Sequence, residues 1–200
     1  DGSSVQVLGP FVSKAVSTGF FKGDIRDLPR VDEALLTELE GKGRFVGAGF
    51  KPLPDSCVTF RDPVWQDGFR GAAESVASLA APILNFDGQV TGPPHDPIGD
   101  VGPNHYVQAV NRAFAVYDKT GALLAGPTAL SALFAQFGGP CGSAVTGQGD
   151  PIVLYDPLAD RWLIGQIATP SHACIAVSQG PSPLGSYFLT AFDLGGFPDY

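Results

Sequence analysis

Asp96, Asp100 and Asn104 follow one another at intervals of four, in a stretch (92–105) dense in Gly and Pro. Carboxylate, amide and backbone oxygens brought together by such a loop are the ligand set that a hard cation such as Ca²⁺ takes. The same residue types also close Asx turns, in which the side chain accepts from backbone N–H groups two residues on. Both readings stand at this point: a calcium site made by Asp96, Asp100 and Asn104, or a capped loop. A second candidate is Asp150, which precedes Pro151 at the start of an apolar run. It is expected either to contact a ligand or ion, with Arg161 as a second ligand-binding residue, or to fix the head of the strand through backbone amides.

Other chemistry finds little support. His95, His105 and His172 are too widely spaced for a metal triad by sequence, and the three cysteines lack a C-x-x-C pair. There is no G-x-S-x-G elbow, H-E-x-x-H helix or phosphate-cradling Gly-rich loop. A sialidase-type site needs an arginine cluster with a Tyr/Glu pair, and Arg112 and Arg161 are the only arginines after Arg70. No catalytic residue is assigned.

The candidates must be positioned by short strands. Residues 152–155 are β-branched, apolar or aromatic, Asp156-Pro157 breaks the run, and 161–168 resumes it. Runs at 173–179 and 186–194 follow, separated by a Gly/Pro-rich turn, with no helical pattern between them. These four predict one antiparallel four-stranded meander, the unit of a β-propeller blade. Upstream, 83–88, 106–111, 113–118 and 122–125 read as strands. Residues 127–137 read as a short helix with Leu130, Leu133, Phe134 and Phe137 on one face. Tyr117-Asp118 and Tyr155-Asp156 each close an apolar run before a turn, roughly one blade period apart (about 40 residues). Cys141 precedes the first strand of the meander and Cys174 begins the third. A link folding back over the sheet end would bring the two within disulfide range, leaving Cys57 out.

Residues 1–81 are less regular. The best helix there is 31–40, capped by Asp32, with Leu35, Leu36 and Leu39 on one face and its glutamates solvated. Strands are expected near 3–16, 45–50 and 57–60, a loop carrying Trp65 at 61–70, and a domain boundary at 81/82.

Asp100-Val-Gly-Pro-Asn-His-Tyr-Val-Gln108, Ala115-Val-Tyr-Asp-Lys-Thr-Gly121 with Gly126-Pro-Thr128, and Phe137-Gly-Gly-Pro-Cys141 occur in that order. Gly149-Asp-Pro-Ile-Val-Leu-Tyr-Asp-Pro-Leu-Ala-Asp-Arg-Trp162 and Cys174-Ile-Ala-Val-Ser178 follow. Over 82–200 this ordered set resembles a family of secreted bacterial propeller-like proteins labelled sialidase-like or BNR-repeat. Tyr155-Asp-Pro…Asp160-Arg-Trp162 also resembles a kelch blade. The resemblance implies an all-β fold of four-stranded antiparallel blades, and one or two short helices are expected beside them. Two blades at most fit after Pro82, whereas closed propellers need about four to eight, so a partial propeller continuing beyond this chain is expected. In that family the calcium-type loop tends to read Asp-Thr-Asn-Gly-Asp-Val-Gly, and Ile98 here replaces an oxygen-bearing side chain.

Gly (26) and Pro (18) make 44 of the 200 residues, which suits many short strands. Twenty acidic against twelve basic residues give a net charge of −8 with no basic block, which argues against a nucleic-acid partner. No apolar run is long enough to span a bilayer as a helix. The expectation is therefore a secreted or cell-surface propeller module with a binding or structural role toward protein or glycan. Two alternatives stand beside it. One is an extracellular carbohydrate-active hydrolase or lyase with most catalytic groups outside this chain, and the other is a processed subunit of a larger assembly.

Overall fold

The computed structural model describes residues 16–31, 82–89, 95–143 and 147–196. The chain groups into two compact units, Asp1–Gly43 with Phe86–Tyr200, and Arg44–Asn85; every strand named below belongs to the first. The expectations for 3–15, 32–81 and Cys57 lie outside the described residues.

The described residues are mostly strand, paired antiparallel throughout. One sheet is β2 (Pro97–Val101), β3 (His105–Val110), β4 (Ala113–Asp118) and β5 (Leu123–Ala129), in chain order. The other runs β1 (Ser17–Phe21), β9 (Tyr187–Asp193), β8 (His172–Ser178), β7 (Arg161–Ala168), β6 (Gly147–Asp156). The meander expected over 152–194 is present, with β1 added outside β9. Because Ser17–Phe21 hydrogen-bonds along β9, the expected boundary at 81/82 does not part this segment from the sheets.

Strict alternation explains the layering. Val107, Phe114, Val116, Val153, Trp162, Ile164, Ala176, Tyr187 and Leu189 point into one core shared by both sheets. Trp162 is wholly buried, its indole N–H donating to Pro181 O at 3.1 Å and its ring lying 5.1 Å from that of Tyr155. Tyr187 is equally buried and donates its hydroxyl to Pro183 O at 2.7 Å. A short helix, α1 (Leu130–Leu133), drops Leu130, Leu133 and the following Phe134 into the same core. It is shorter than the helix expected over 127–137. Residues 127–129 stay in β5, where Ala113 and Phe114 pair with them, and tight turns replace helix after Leu133.

Two expectations are corrected. Residues 83–88 form no strand: Phe86 lies across the outer face of the first sheet, 6.1 Å from the Tyr106 ring and 5.3 Å from Tyr117. Gln89 clamps that crossing through its side chain, donating to Gln108 O and Ala113 O at 3.1 Å each. Conversely, 97–101 is not loop but strand β2. Pro97 suits an edge strand because it has no N–H to leave unpaired. Gly99 lets β3 approach, since a Cβ there would sit 2.7 Å from Tyr106 Oη and 2.9 Å from Val107 O.

Cys141 and Cys174 form a disulfide with Cα atoms 5.8 Å apart. Both cysteines are fully buried, so the bridge ties the segment after α1 to the middle strand of the five-stranded sheet. Gln166 Nε2 donates to Cys141 O at 2.9 Å and holds that segment against the sheet from the neighbouring strand.

Candidate functional site

Strands β2 and β6 are the free edges of their sheets and lie against one another. At one end, Asp100 Oδ2 accepts from Tyr155 N at 2.8 Å, and a Cβ on Gly102 would meet Trp162 Cζ2 at 2.6 Å. At the other end, Pro97 pairs with Val110, the next residues form the Asn111–Arg112 turn, and that turn abuts Gly149. A Cβ on Gly149 would lie 2.5 Å from Asn111 Oδ1 and 3.0 Å from Arg112 Cγ. The two edge strands therefore run in the same direction, with their heads at the same end.

The same tripeptide recurs toward that end: Asp96-Pro97-Ile98 enters β2, and Asp150-Pro151-Ile152 lies at a bulge inside β6, past its first residue Gly147. Both aspartates adopt left-handed backbone, φ +36° at Asp96 and +46° at Asp150, a region that Asp and Asn enter most readily among residues with a Cβ. Two residues assigned to different roles in the sequence thus share a backbone conformation and lie toward the same end of the two edge strands. Beside them Asn111 is also left-handed (φ +48°) and nearly buried. Asn111, Arg112 and Asp150 all hold interaction partners, so the head end is a braced polar corner. It presents the carboxylates of Asp96 and Asp150 and the guanidinium of Arg112, which suit hydrogen bonding to polar ligands. This matching escaped the sequence reading, which compared the Tyr-Asp pairs instead. Tyr117-Asp118 closes the third strand of one sheet and Tyr155-Asp156 the first of the other, so that pattern marks hairpins and not equivalent strands. Asp118 Oδ1 accepts from Thr120 N, Thr120 Oγ1 and Ala122 N, and Asp156 Oδ1 from Leu158 N and Ala159 N. These are the Asx turns that such sequences favour.

The expected calcium ligands do not converge as a loop would bring them. Asp96 and Asp100 stand at opposite ends of β2, about 13 Å apart at the extended rise per residue. Asp100 is engaged between the sheets, its Oδ1 taking Val101 N at 2.7 Å and its Oδ2 taking Tyr155 N. Asn104 lies in the β2–β3 turn. Among the described residues no three His, Cys, Asp or Glu side chains are grouped to hold a metal ion.

Asp150 and Arg161 are likewise separated. Arg161 pairs with Asp156 at the far end of β6, about 20 Å from Asp150, and donates to Asp160 O at 2.9 Å. His105 is on β3 opposite Asp118 and His172 opens β8, so the histidines belong to different sheets. Burial lowers the His105 imidazole below its ordinary range, opposed by the Asp118 carboxylate. The Tyr155 hydroxyl donates to Asp160 Oδ1 at 2.6 Å, which raises its pKa. On the N-terminal side, Arg26 bonded to Asp24 at 2.5 Å holds that carboxyl down to about 2, and Asp24 caps a 3-10 turn, Ile25–Asp27, by accepting from Arg26 N.

No protein family, curated protein or solved structure matches this chain.

Proposed function

We propose that the two sheets are neighbouring propeller-type blades of a secreted or cell-surface module that binds a protein or glycan partner and carries out no catalysis of its own. The observation behind this reading is the pair of adjacent, same-direction edge strands, each opening a four-stranded meander, with a left-handed Asp-Pro-Ile entering β2 and another at the bulge inside β6. First strands that lie side by side and run in one direction suit a radial arrangement of blades. The disulfide Cys141–Cys174 accords with an oxidising compartment, and no helix among the described residues is long and apolar enough to cross a membrane.

The head end is the binding surface in this reading. Several elements converge there, as they do at ligand sites on rigid scaffolds, and its groups are polar. The calcium site expected from Asp96, Asp100 and Asn104 is not part of it, because Asp96 and Asp100 cannot share an ion while β2 is extended. Glycan-array binding by the purified chain, run beside a panel of fluorogenic glycosides, tests the reading. The expected result is binding without turnover, weakened by Asp96→Ala. Turnover of any glycoside would overturn it in favour of a carbohydrate-active enzyme.

A further inference from the structure

The five-stranded sheet has two apolar faces, and only one faces the core. On the other, cross-strand pairing lines up Leu154, Leu163, Val177, Phe188 and Phe20 in one row. Ile152, Gly165, Ile175, Thr190 and Thr18 form the next. These ten residues include no charge, in a chain with 32 charged side chains among 200. Phe20 is 52% exposed, Phe188 47%, Leu154 51% and Ile152 38%. The Phe20 and Phe188 rings pack on each other at 5.4 Å, and each side chain stays about half exposed. Beyond the first row, alternation continues to polar positions: Asp156 at the end of β6, Arg161 at the start of β7, and Lys22 after β1. An uncharged centre with a charged rim is the anatomy of a protein–protein interface.

Area and symmetry identify the occupant. Half-exposed Phe and Leu side chains, with partly exposed neighbours, leave on the order of 400–500 Å² of apolar surface on this face. A stable interface buries roughly 800 Å² per partner, somewhat over half of it apolar, so the face has the size that such a contact needs. The sheet has an odd number of strands with β8 in the middle. A two-fold axis along β8 therefore superposes β6 of one copy on β1 of the other, and β7 on β9. It brings Val177 onto Val177 and Ile175 onto Ile175, sets Leu154 opposite Phe20 and Leu163 opposite Phe188, and leaves the Gly165 gap for Thr190. On the rim it sets Asp156 opposite Lys22, so opposite charges meet at both edges. We infer that this face takes a second copy of the chain, forming a two-fold dimer through sheet-on-sheet packing across β8.

This goes beyond the blade reading, and the two fail separately: a monomer that still binds glycan without turnover sinks only the dimer. Sedimentation of the purified chain from about 1 to about 100 µM should show a species of twice 20.8 kDa. Phe188→Asp and Leu154→Asp should each weaken association by roughly tenfold or more. Leu123→Asp, exposed on β5 of the other sheet, should leave it unchanged. Circular dichroism and an intact disulfide verify that the variants fold. Independently of those substitutions, Val177→Cys in a Cys57→Ser background should be cross-linked between copies by a bis-maleimide spanning the ~10 Å between packed sheets, whereas Leu123→Cys in the same background should not. A monomer at the highest concentration, masses that grow past the dimer, indifference to both Asp substitutions, or no cross-link at residue 177 would each overturn the inference.

Discussion

Replacing both Cys141 and Cys174 with alanine should lower the melting temperature by about 6–16 °C. The bridge spans 33 residues, and in the chain-entropy model closing a loop of that length restricts the unfolded chain by about 3–4 kcal/mol. For a domain of this size each kcal/mol moves the midpoint by about 2–4 °C, which gives the range above. The native state should change little, because Leu130, Leu133 and Phe134 still seat the segment before Cys141 in the core. Gln166 also still holds the carbonyl at position 141. Calorimetry of the oxidised protein and the double variant measures the difference. A drop of less than about 3 °C would refute the reasoning, since the bridge would then not be closing a loop that is otherwise free in the unfolded chain. A kinetic corollary comes from burial: both cysteines have no exposure, so a thiol reductant must wait for opening. Reduction in buffer should be slow and should accelerate with denaturant; fast reduction of the folded protein would contradict the burial.

Gly102→Ala inserts a methyl group where Trp162 Cζ2 already lies 2.6 Å away, and should cost about 1–3 kcal/mol in chemical denaturation; stability equal to wild type would mean that the sheets do not meet there. His105 should make stability fall with acidity. Burial depresses its folded-state pKa below the unfolded value of 6.5, so its contribution is complete above that value and is lost as pH falls through the folded pKa. Melts between about pH 7.5 and about pH 5 should therefore show a steeper decline for wild type than for His105→Asn; parallel curves would contradict this.

The C-terminal meander was legible because each strand is a β-branched or aromatic run closed by an Asp or Gly turn, and its side chains alternate between faces. Strand β2 was hidden by its own composition. Pro97 and Gly99 read as loop, yet the edge position tolerates the first and the close approach of Tyr106 requires the second. The segment at 83–88 misled in the opposite sense, since Phe86 is apolar in order to cover a sheet face and not to join an edge. The disulfide was legible from where the two cysteines fall along the meander. The candidate site was not. Residues four apart look clustered only in a loop, and an extended β2 carries Asp96 and Asp100 apart. The matching of Asp96 with Asp150 depends on two sheets meeting edge to edge, a contact between residues more than fifty positions apart that no local pattern encodes. The addition of Ser17–Phe21 to the far edge was invisible for the same reason.

The adjacency of β2 and β6 is the claim on which the blade reading rests, and the amide of Tyr155 reports it directly. Tyr155 lies on an edge strand, and its N–H is satisfied from the other sheet by Asp100 Oδ2 at 2.8 Å. Hydrogen exchange at that amide should be slow in the wild-type chain and at least about tenfold faster in Asp100→Ala, while amides inside β7 and β8 keep their rates. Fast exchange at Tyr155 in the wild type, or protection that survives removal of the Asp100 carboxylate, would contradict the side-by-side placement of the two sheets.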